Sequence, residues 1–224
     1  MRARLLAGFL LGASLFAAPP ELREVVDRFD RAQAQVQTFR APFTLTIRRA
    51  LLRTPTVTRG TVYLQGRDLA HFEFDPPEDL VLHLTPKALT SYSPQARQGQ
   101  RLKIGVIRNT SRRFLGLGQR LSELSDFFKA TVAEGGEVPG TWRVDLKPRA
   151  LAMKRRFEAI QIWVDRASWL PRQVVWVERG GDRWELELGD AALNAPIPAS
   201  VTGFKVPAGI PLKAEFDFFG TRKK

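Results

Sequence analysis

Apolar and polar residues alternate along much of this 224-residue chain, and this alternation restricts the possible fold more than any other feature. It is clearest over residues 38–48, where every second residue from Phe39 to Ile47 is apolar. A period of two residues places successive side chains on opposite faces of a β-strand. The pattern therefore predicts a strand with one buried face.

Pro42 lies among the polar positions of this strand. Proline has no N–H group, so within a sheet it is tolerated mainly on edge strands or at bulges. The sequence therefore predicts that the strand over residues 38–48 lies at an edge of its sheet or carries a bulge.

The same period returns in ten further segments, which are separated by turn-forming sequences such as Gly135-Gly136 and Gly180-Gly181. About eleven strands at near-regular spacing, with no internal repeat or linker, predict a mainly β fold built on a large antiparallel sheet or barrel. We predict one domain over residues 18–224. The ten further strands are expected at residues 57–64, 68–74, 80–85, 89–92, 101–106, 128–133, 142–147, 157–164, 172–178 and 183–188.

Two segments depart from the period of two. Residues 21–37 have apolar side chains at helical spacing and predict an amphipathic N-terminal helix that covers one face of the sheet. Residues 109–125 predict a short helical lid interrupted at Gly116 and Gly118, which act either as a hinge or as a plain turn. The apolar residues of this lid are Phe114, Leu115, Leu117, Leu121 and Leu124.

The N-terminus has the layout of a secretory signal peptide. A short basic start precedes an apolar run from Leu5 to Phe16, which is followed by small residues. The run of about twelve residues is shorter than the roughly twenty that a membrane span needs. We predict cleavage after Ala17 and a periplasmic location for the rest of the chain. Because the sequence contains no cysteine, neither a disulfide nor an acylated N-terminal cysteine is expected.

The chain is strongly basic, with a formal net charge of +12. Such a charge favours anionic surfaces, whether lipid headgroups or acidic partners, although an arginine-rich composition would produce it as well. The cations are dense over residues 147–156, where Lys154, Arg155 and Arg156 are consecutive. This segment is interpreted as a solvated turn, with a docking patch as the alternative.

The sequence offers few groups for catalysis. Cysteine is absent, the only histidines are His71 and His83, and no nucleophile elbow or phosphate-binding loop is present. A hairpin around Pro76-Pro77 would place His71 opposite His83, near Glu73. This pair could bind a metal, but two histidines on a solvated sheet face are the simpler interpretation because a third ligand is not evident. We predict a binding protein without a cofactor.

The other face of that hairpin is apolar, and so is one face of the strand over residues 157–164. Apolar faces of this width must be covered, either by helices that close a dry core or by helices that leave a groove for an apolar ligand. The residues concerned, together with those of the first strand, are Phe43, Leu45, Phe72, Phe74, Leu82, Leu84, Ile160, Ile162 and Val164.

Several short motifs occur in an order and spacing that together are fairly specific. The first strand carries F-x-A-x-F at residues 39–43, and residues 204–209 read as F-x-F-x-P-x-G shortened by one residue. Further motifs are Gly60-Thr61-Val62-Tyr63-Leu64, Phe72-Glu73-Phe74-Asp75-Pro76-Pro77-Glu78, Tyr92-Ser93-Pro94, Ile160-Gln161-Ile162-Trp163-Val164-Asp165 and Asn194-Ala195-Pro196-Ile197. With these motifs the chain resembles the outer-membrane lipoprotein carrier protein (LolA) family over most of its length.

The resemblance implies an unclosed antiparallel β-barrel with a helical lid, whose cavity holds the acyl chains of lipoproteins crossing the periplasm. The nine apolar residues named above would line that cavity. Implied partners are acylated lipoproteins, an ATP-driven lipoprotein-releasing complex of the inner membrane and an acceptor lipoprotein of the outer membrane. The protein itself is expected to be a monomer.

Two positions depart from the family pattern. Leu45 stands where the family commonly has glutamine, and Arg67 is offset by one residue from the arginine that bonds the lid. Despite this offset, Arg67 is the candidate lid latch in this chain. A carrier or sensor of another lipid or glycolipid on the same fold is the alternative function.

Overall fold

The computed structural model describes residues 20–103 and 120–214. The predicted signal peptide therefore lies outside the described residues. The first half contains α1 (Leu22–Gln35), β1 (Thr38–Arg48), β2 (Thr56–Gln65), β3 (Leu69–Phe74), β4 (Val81–Leu84), β5 (Ala88–Ser93) and β6 (Gln98–Lys103). After a 3₁₀ turn (Ser122–Leu124) come β7 (Phe128–Glu134), β8 (Thr141–Pro148), α2 (Leu151–Arg156), β9 (Phe157–Asp165), β10 (Pro171–Glu178), β11 (Arg183–Leu188), β12 (Ala192–Leu193), α3 (Ala199–Thr202) and β13 (Leu212–Lys213).

All thirteen strands belong to one sheet, in the order β13-β6-β5-β4-β3-β2-β1-β11-β10-β9-β8-β7, with β12 paired to β1 beyond the end of β11. Neighbouring strands are antiparallel except β13, which runs parallel to β6. Within the described residues the two edge strands, β13 and β7, are not paired with each other. The fold is therefore mainly β and unclosed, as predicted. The two strands beyond the predicted eleven, β12 and β13, have two residues each.

Of the two alternatives predicted for the first strand, the edge position is wrong, and the structure has an irregularity of pairing instead. β1 is central, because β2 pairs with one side of it and β11 and β12 pair with the other. Pairing with β11 ends at Phe43 and pairing with β12 begins at Arg40, so two residues of β1 face three of the partner. The carbonyl of Pro42 accepts the N–H of Gly189 at 2.9 Å. In a strand, the N–H and the carbonyl of one residue point to the same side. The N–H that Pro42 lacks would therefore point to the interruption, and no regular ladder hydrogen bond is lost.

One face of the sheet carries the core. Register places Phe43 opposite Leu188 and Leu45 opposite Leu186, so apolar side chains of neighbouring strands meet on that face. The ring of Phe43 also packs edge-on against Phe72 and Phe74, with centroids 5.6 and 5.1 Å apart. These residues belong to one hydrophobic cluster that extends from β4 through the centre of the sheet to β7.

Helix α1 covers part of this apolar face. Its apolar residues recur at helical spacing, and Val25 and Phe29 are fully buried in the core cluster. Asn194 fixes the C-terminal end of the helix. Its side chain accepts the N–H of Gln37 at 2.7 Å and donates to the carbonyl of Gln35 at 3.1 Å. The backbone leaving α1 is thereby attached to the chain that follows β12.

Residues 147–156, interpreted from the sequence as a solvated turn, instead form the end of β8 and the short helix α2. Met153 is the buried residue of that helix, whereas Lys154, Arg155 and Arg156 are exposed. No helix in the described ranges is long and apolar enough to cross a membrane.

Gly60 provides a test of how closely the strands pack. A methyl group at this position would collide with the backbone carbonyl of Glu73 and touch the ring of Phe43. We expect Gly60→Ala to lower the free energy of unfolding by about 2–4 kcal/mol, because backbone must move to admit the methyl group. Gly180→Ala, where a methyl group would meet no atom within 4 Å, is the control and should change it by less than about 1 kcal/mol. Urea denaturation of both variants measures the difference, and equal losses would contradict this account.

Candidate functional site

A cavity of about 780 Å³ opens between the C-terminal half of α1 and the ends of β1, β2 and β3. Its size is in the range typical of small-molecule sites, roughly 300–1,000 Å³. The wall combines apolar and polar groups. Apolar lining residues are Ala34, Val36, Phe39, Leu64, Leu69, Pro86 and Pro171, and polar or charged ones include Gln33, Gln37, Gln65, Arg67, Asp68 and Arg120.

Arg67 and Arg120 place positive charge on the cavity wall. Nη2 of Arg67 lies 2.8 Å from Oε1 of Glu123, which belongs to the 3₁₀ turn. Both side chains of this pair are partly exposed, so the ion pair contributes at most about 1 kcal/mol. Arg67 thus connects the β2–β3 turn to the C-terminal end of the predicted lid.

Asp30 of α1 connects the helix to the same turn. Its carboxylate accepts the backbone N–H of Leu121 at 2.7 Å and that of Ser122 at 3.3 Å, and it also accepts the hydroxyl of Ser122. These N–H groups begin the 3₁₀ turn and would otherwise lack partners there. Leu121 and Leu124 are buried in the core cluster. The helix and the turn therefore form one cover over the apolar face.

The nine apolar residues predicted to contact ligand all lie on the covered face, and all are buried. They are packed against one another in the core cluster, and none of them lines the 780 Å³ cavity. Of the predicted lid residues, Phe114, Leu115 and Leu117 lie outside the described residues, as do Gly116 and Gly118. The residues in this group that the structure describes as buried are Phe43, Leu45, Phe72, Phe74, Leu82, Leu84, Ile160, Ile162, Val164, Leu121 and Leu124.

Of the residues that line the cavity, sequence reasoning selected Arg67 but none of the apolar ones. Phe39 and Leu64 are paired in register at the ends of β1 and β2, and they continue the apolar face of Phe43 and Val62. The alternation identified that face correctly. It carried no information on which end of the face the helix would leave uncovered.

The histidine pair has the predicted register but not the predicted environment. His71 lies opposite His83, with the two Nδ1 atoms 3.0 Å apart. The prediction of a solvated face is wrong, because His71 is 1% exposed and His83 is 7% exposed. Phe204 from the C-terminal segment covers both imidazoles, with ring centroids at 5.2 and 5.1 Å.

The hydrogen bonds of this pair define its protonation. A carboxylate only accepts, so His71 donates from Nε2 to Oε1 of Glu73, 3.3 Å away. Neutral His71 then accepts at Nδ1 the proton that His83 donates from its own Nδ1. Glu73 contacts the nitrogen of His71 that is remote from His83, so the three side chains do not converge on one point. In the described residues, no group of three possible ligands could hold a metal ion.

Burial disfavours the charged form of both imidazoles. It lowers the pKa of His71. It also lowers the pKa of His83 from 6.5 to about 4, with further contributions from repulsion by His71 when that imidazole is protonated and by Arg101. Both histidines are therefore neutral at pH 7.

Removing the carboxylate of Asp30 tests the attachment of the cover. We expect Asp30→Ala to lower the free energy of unfolding by about 1–2 kcal/mol, because two backbone N–H groups and one hydroxyl lose their acceptor. Arg67→Ala is the control, since it removes only an exposed ion pair and should cost less than about 1 kcal/mol. Urea denaturation at pH 7 compares them. An Asp30→Ala variant as stable as the parent would show that these bonds do not hold the cover.

The buried imidazoles predict a loss of stability in mild acid. The pKa of His83 is lower in the folded chain than in the unfolded one, so the unfolded chain binds the proton first as the pH falls. A lowering from 6.5 to about 4 corresponds to roughly 3 kcal/mol, which is lost between those two pH values. We expect His83→Gln to lose less unfolding free energy than the parent between pH 6.5 and 4. Denaturation curves across this range measure the difference, and parallel pH profiles would contradict the assignment.

Comparisons with known proteins agree with this architecture. A sequence model of the outer membrane lipoprotein carrier protein LolA matches residues 34–205. A search of curated proteins found no match. Among solved structures, an uncharacterized conserved protein from Thermus thermophilus superimposes with a TM-score of 0.52 at 14% identity, covering 85% of this chain and 96% of that one. At this identity the likeness concerns the fold alone.

Two further structures have TM-scores of 0.42. One is a LolA superfamily protein from Nitrosomonas europaea, 8% identical, with 81% of this chain and 97% of that one covered. The other is a putative outer membrane lipoprotein-sorting protein domain from Vibrio parahaemolyticus, 14% identical, with 80% and 95% covered. The sequence match extends over most of the chain and includes β1 to β12. The chain therefore belongs to the outer membrane lipoprotein carrier protein (LolA) family.

Proposed function

We propose that this protein is a periplasmic carrier that shields the acyl chains of lipoproteins and moves them from the inner to the outer membrane. The observation that supports this most directly is the 780 Å³ cavity, which opens beside α1 at the end of a continuous apolar sheet face. Membership of the LolA family supports the same role. The proposed activity is binding, not catalysis, and it requires no cofactor.

The energetics of acyl chains explain why a carrier is needed. Exposure to water costs roughly 0.8 kcal/mol per methylene, so a chain of about sixteen carbons costs on the order of 12 kcal/mol. Apolar side chains offset this cost without directional bonds. Such a surface accepts an acyl chain whatever protein is attached to it, which suits a carrier of many lipoproteins.

Acyl chains longer than the cavity would have to reach the packed core. Phe43, Phe72 and Leu82 are examples of core residues that now fill the space beyond the cavity wall. We propose that tails enter by displacing α1 and the 3₁₀ turn from the sheet, because these two elements form one cover. The ion pair between Arg67 and Glu123 then acts as the latch of that cover, and its modest strength allows it to open.

The proposal includes the partners that such a route requires. These are acylated lipoproteins, an ATP-driven releasing complex in the inner membrane and an acceptor lipoprotein in the outer membrane. The positive groups at the cavity, Arg67 and Arg120, suit acidic residues or phosphate groups at the entrance.

Filling the cavity tests the proposal. Ala34 is an exposed residue of α1 that lines the cavity, and Arg31 lies one turn earlier on the same helix without lining it. We expect Ala34→Trp to weaken binding of a fluorescent lipopeptide at least tenfold, because the indole occupies part of the cavity. Arg31→Trp is the matched control and should bind as the parent does. Arg67→Ala should release the lipopeptide faster, since the latch is removed.

The bound molecule is identified by native mass spectrometry of the protein purified from the periplasm. Acylated lipoproteins or their tails support the proposal. A phospholipid or glycolipid found in their place would favour the alternative, a carrier or sensor of another lipid. Lipopeptide binding that is absent, or equal in the parent and Ala34→Trp, would contradict the assignment of the cavity.

A further inference from the structure

Three large apolar side chains are exposed at one end of the sheet. Leu51 is 97% exposed and Leu52 is 62% exposed, both in the loop between β1 and β2. Leu151, 65% exposed, is the first residue of α2. We call the surface formed by residues 49–55, 149–156 and 179–182 the basic tip.

The three segments of the basic tip are joined by hydrogen bonds. Asp182 of the β10–β11 turn accepts the N–H of Ala50 at 2.9 Å and forms an ion pair with Arg49 at 3.1 Å. Arg179 of the same turn bonds to α2. Its backbone N–H donates to the carbonyl of Arg156 at 2.9 Å, and its Nε–H donates to the carbonyl of Lys154 at 2.7 Å. The loop and α2 are therefore held on one surface.

This surface carries much of the charge of the chain. Its nineteen residues include seven cations and one carboxylate, a net charge of +6 out of +12 for the whole sequence. Arg53, Lys154 and Arg155 are exposed, and none of them takes part in an ion pair found in the described ranges. Their charges are available to an external anion.

We propose that the basic tip docks on the surface of an anionic lipid bilayer. The leucines of the loop project from a hairpin end, a convex shape that enters a lipid interface more readily than it fits a flat protein surface. Apolar side chains that insert and cations that bind lipid phosphates are the combination that holds proteins at such interfaces. One guanidinium group can donate two parallel hydrogen bonds to the oxygens of a phosphate, so the arginines of the basic tip are suited to lipid phosphates.

The basic tip lies at the opposite end of the strands from the cavity. The loop follows the last residue of β1, Arg48, whereas the cavity is lined by Phe39 near its first residue. Eleven residues of strand separate the two ends by about 30 Å. A docked molecule therefore keeps its cavity away from the bilayer, and the docking does not depend on what the cavity binds.

Co-sedimentation with vesicles tests the proposal. The probes are vesicles of phosphatidylglycerol and phosphatidylethanolamine, with phosphatidylcholine vesicles for comparison. We expect the parent protein to bind the anionic vesicles and to be released by salt. Leu51→Ser combined with Leu52→Ser should weaken this binding about tenfold or more, because inserted apolar surface is lost. The parent and all variants have the same N-terminal sequence, so any vesicle binding by that segment is equal in every protein compared.

A charge series isolates the electrostatic part. The variant Arg53→Gln, Lys154→Gln, Arg155→Gln should bind anionic vesicles on the order of fivefold more weakly per cation removed. Its control replaces three exposed cations outside the basic tip, at residues 23, 87 and 205, and should bind almost as the parent does. Ala34→Trp should also bind vesicles normally, which separates this proposal from the function of the cavity.

Insertion is measured with a dye attached to a single introduced cysteine. The label is specific because the chain has no cysteine of its own. We expect an environment-sensitive label on Leu51→Cys to shift to the blue with anionic vesicles, and the same label on Leu193→Cys, at the cavity end of the sheet, not to shift. Equal vesicle binding by the leucine variant and the parent would overturn the proposal. The proposal would also be overturned if the parent protein did not bind vesicles and instead self-associated through Leu51 and Leu52. The basic tip would then be a contact between copies of the chain.

Discussion

Burial of one apolar face on an unclosed sheet is the constraint on which the structure depends. Phe43, Val62 and Val174 lie on that face in neighbouring parts of the sheet and are almost completely buried. Each such side chain contributes about 1.5–3 kcal/mol relative to exposure. Because the sheet does not close on itself, part of this face needs a cover from outside. Helix α1 supplies it with Val25 and Phe29.

The cover is attached at its edges by polar groups. Asn194 holds the end of α1 against β1, and Asp30 holds the helix to the 3₁₀ turn. Arg67 and Glu123 form a further, exposed ion pair between the turn and the sheet. Such bonds exchange readily with water, whereas the apolar contacts of the sheet do not. A cover whose edges are attached by such bonds suits the lipid-carrier function proposed above.

Part of the outer face of the sheet is also covered, by the segment that follows β12. This segment places Phe204 over His71 and His83 and ends as β13 beside β6. The histidines are buried because of it, and their low pKa follows from that burial. The two ends of the sheet therefore differ. One end holds the cavity beside α1, and the other holds the exposed leucines and cations of the basic tip.

The sequence by itself determined the strands and the residues on each face. The period of two predicted β1, and the register of Phe72 with Leu82 and of His71 with His83 followed from the hairpin. Local patterns suffice here because alternation and turn chemistry depend only on near neighbours in the chain. The motifs over residues 39–43 and 204–209 also identified the family.

Only the tertiary structure decided what covers each face. Pro42 predicted either an edge or a bulge, and the sequence could not choose between them, because the interruption that accommodates Pro42 is made by residues about 150 positions later. The same reason explains why His71 is buried beneath Phe204, and why Phe39 lines the cavity while Phe43 does not. Alternation tells which residues share a face. Which distant segment packs on that face depends on contacts between residues far apart in the chain, and no local period records them.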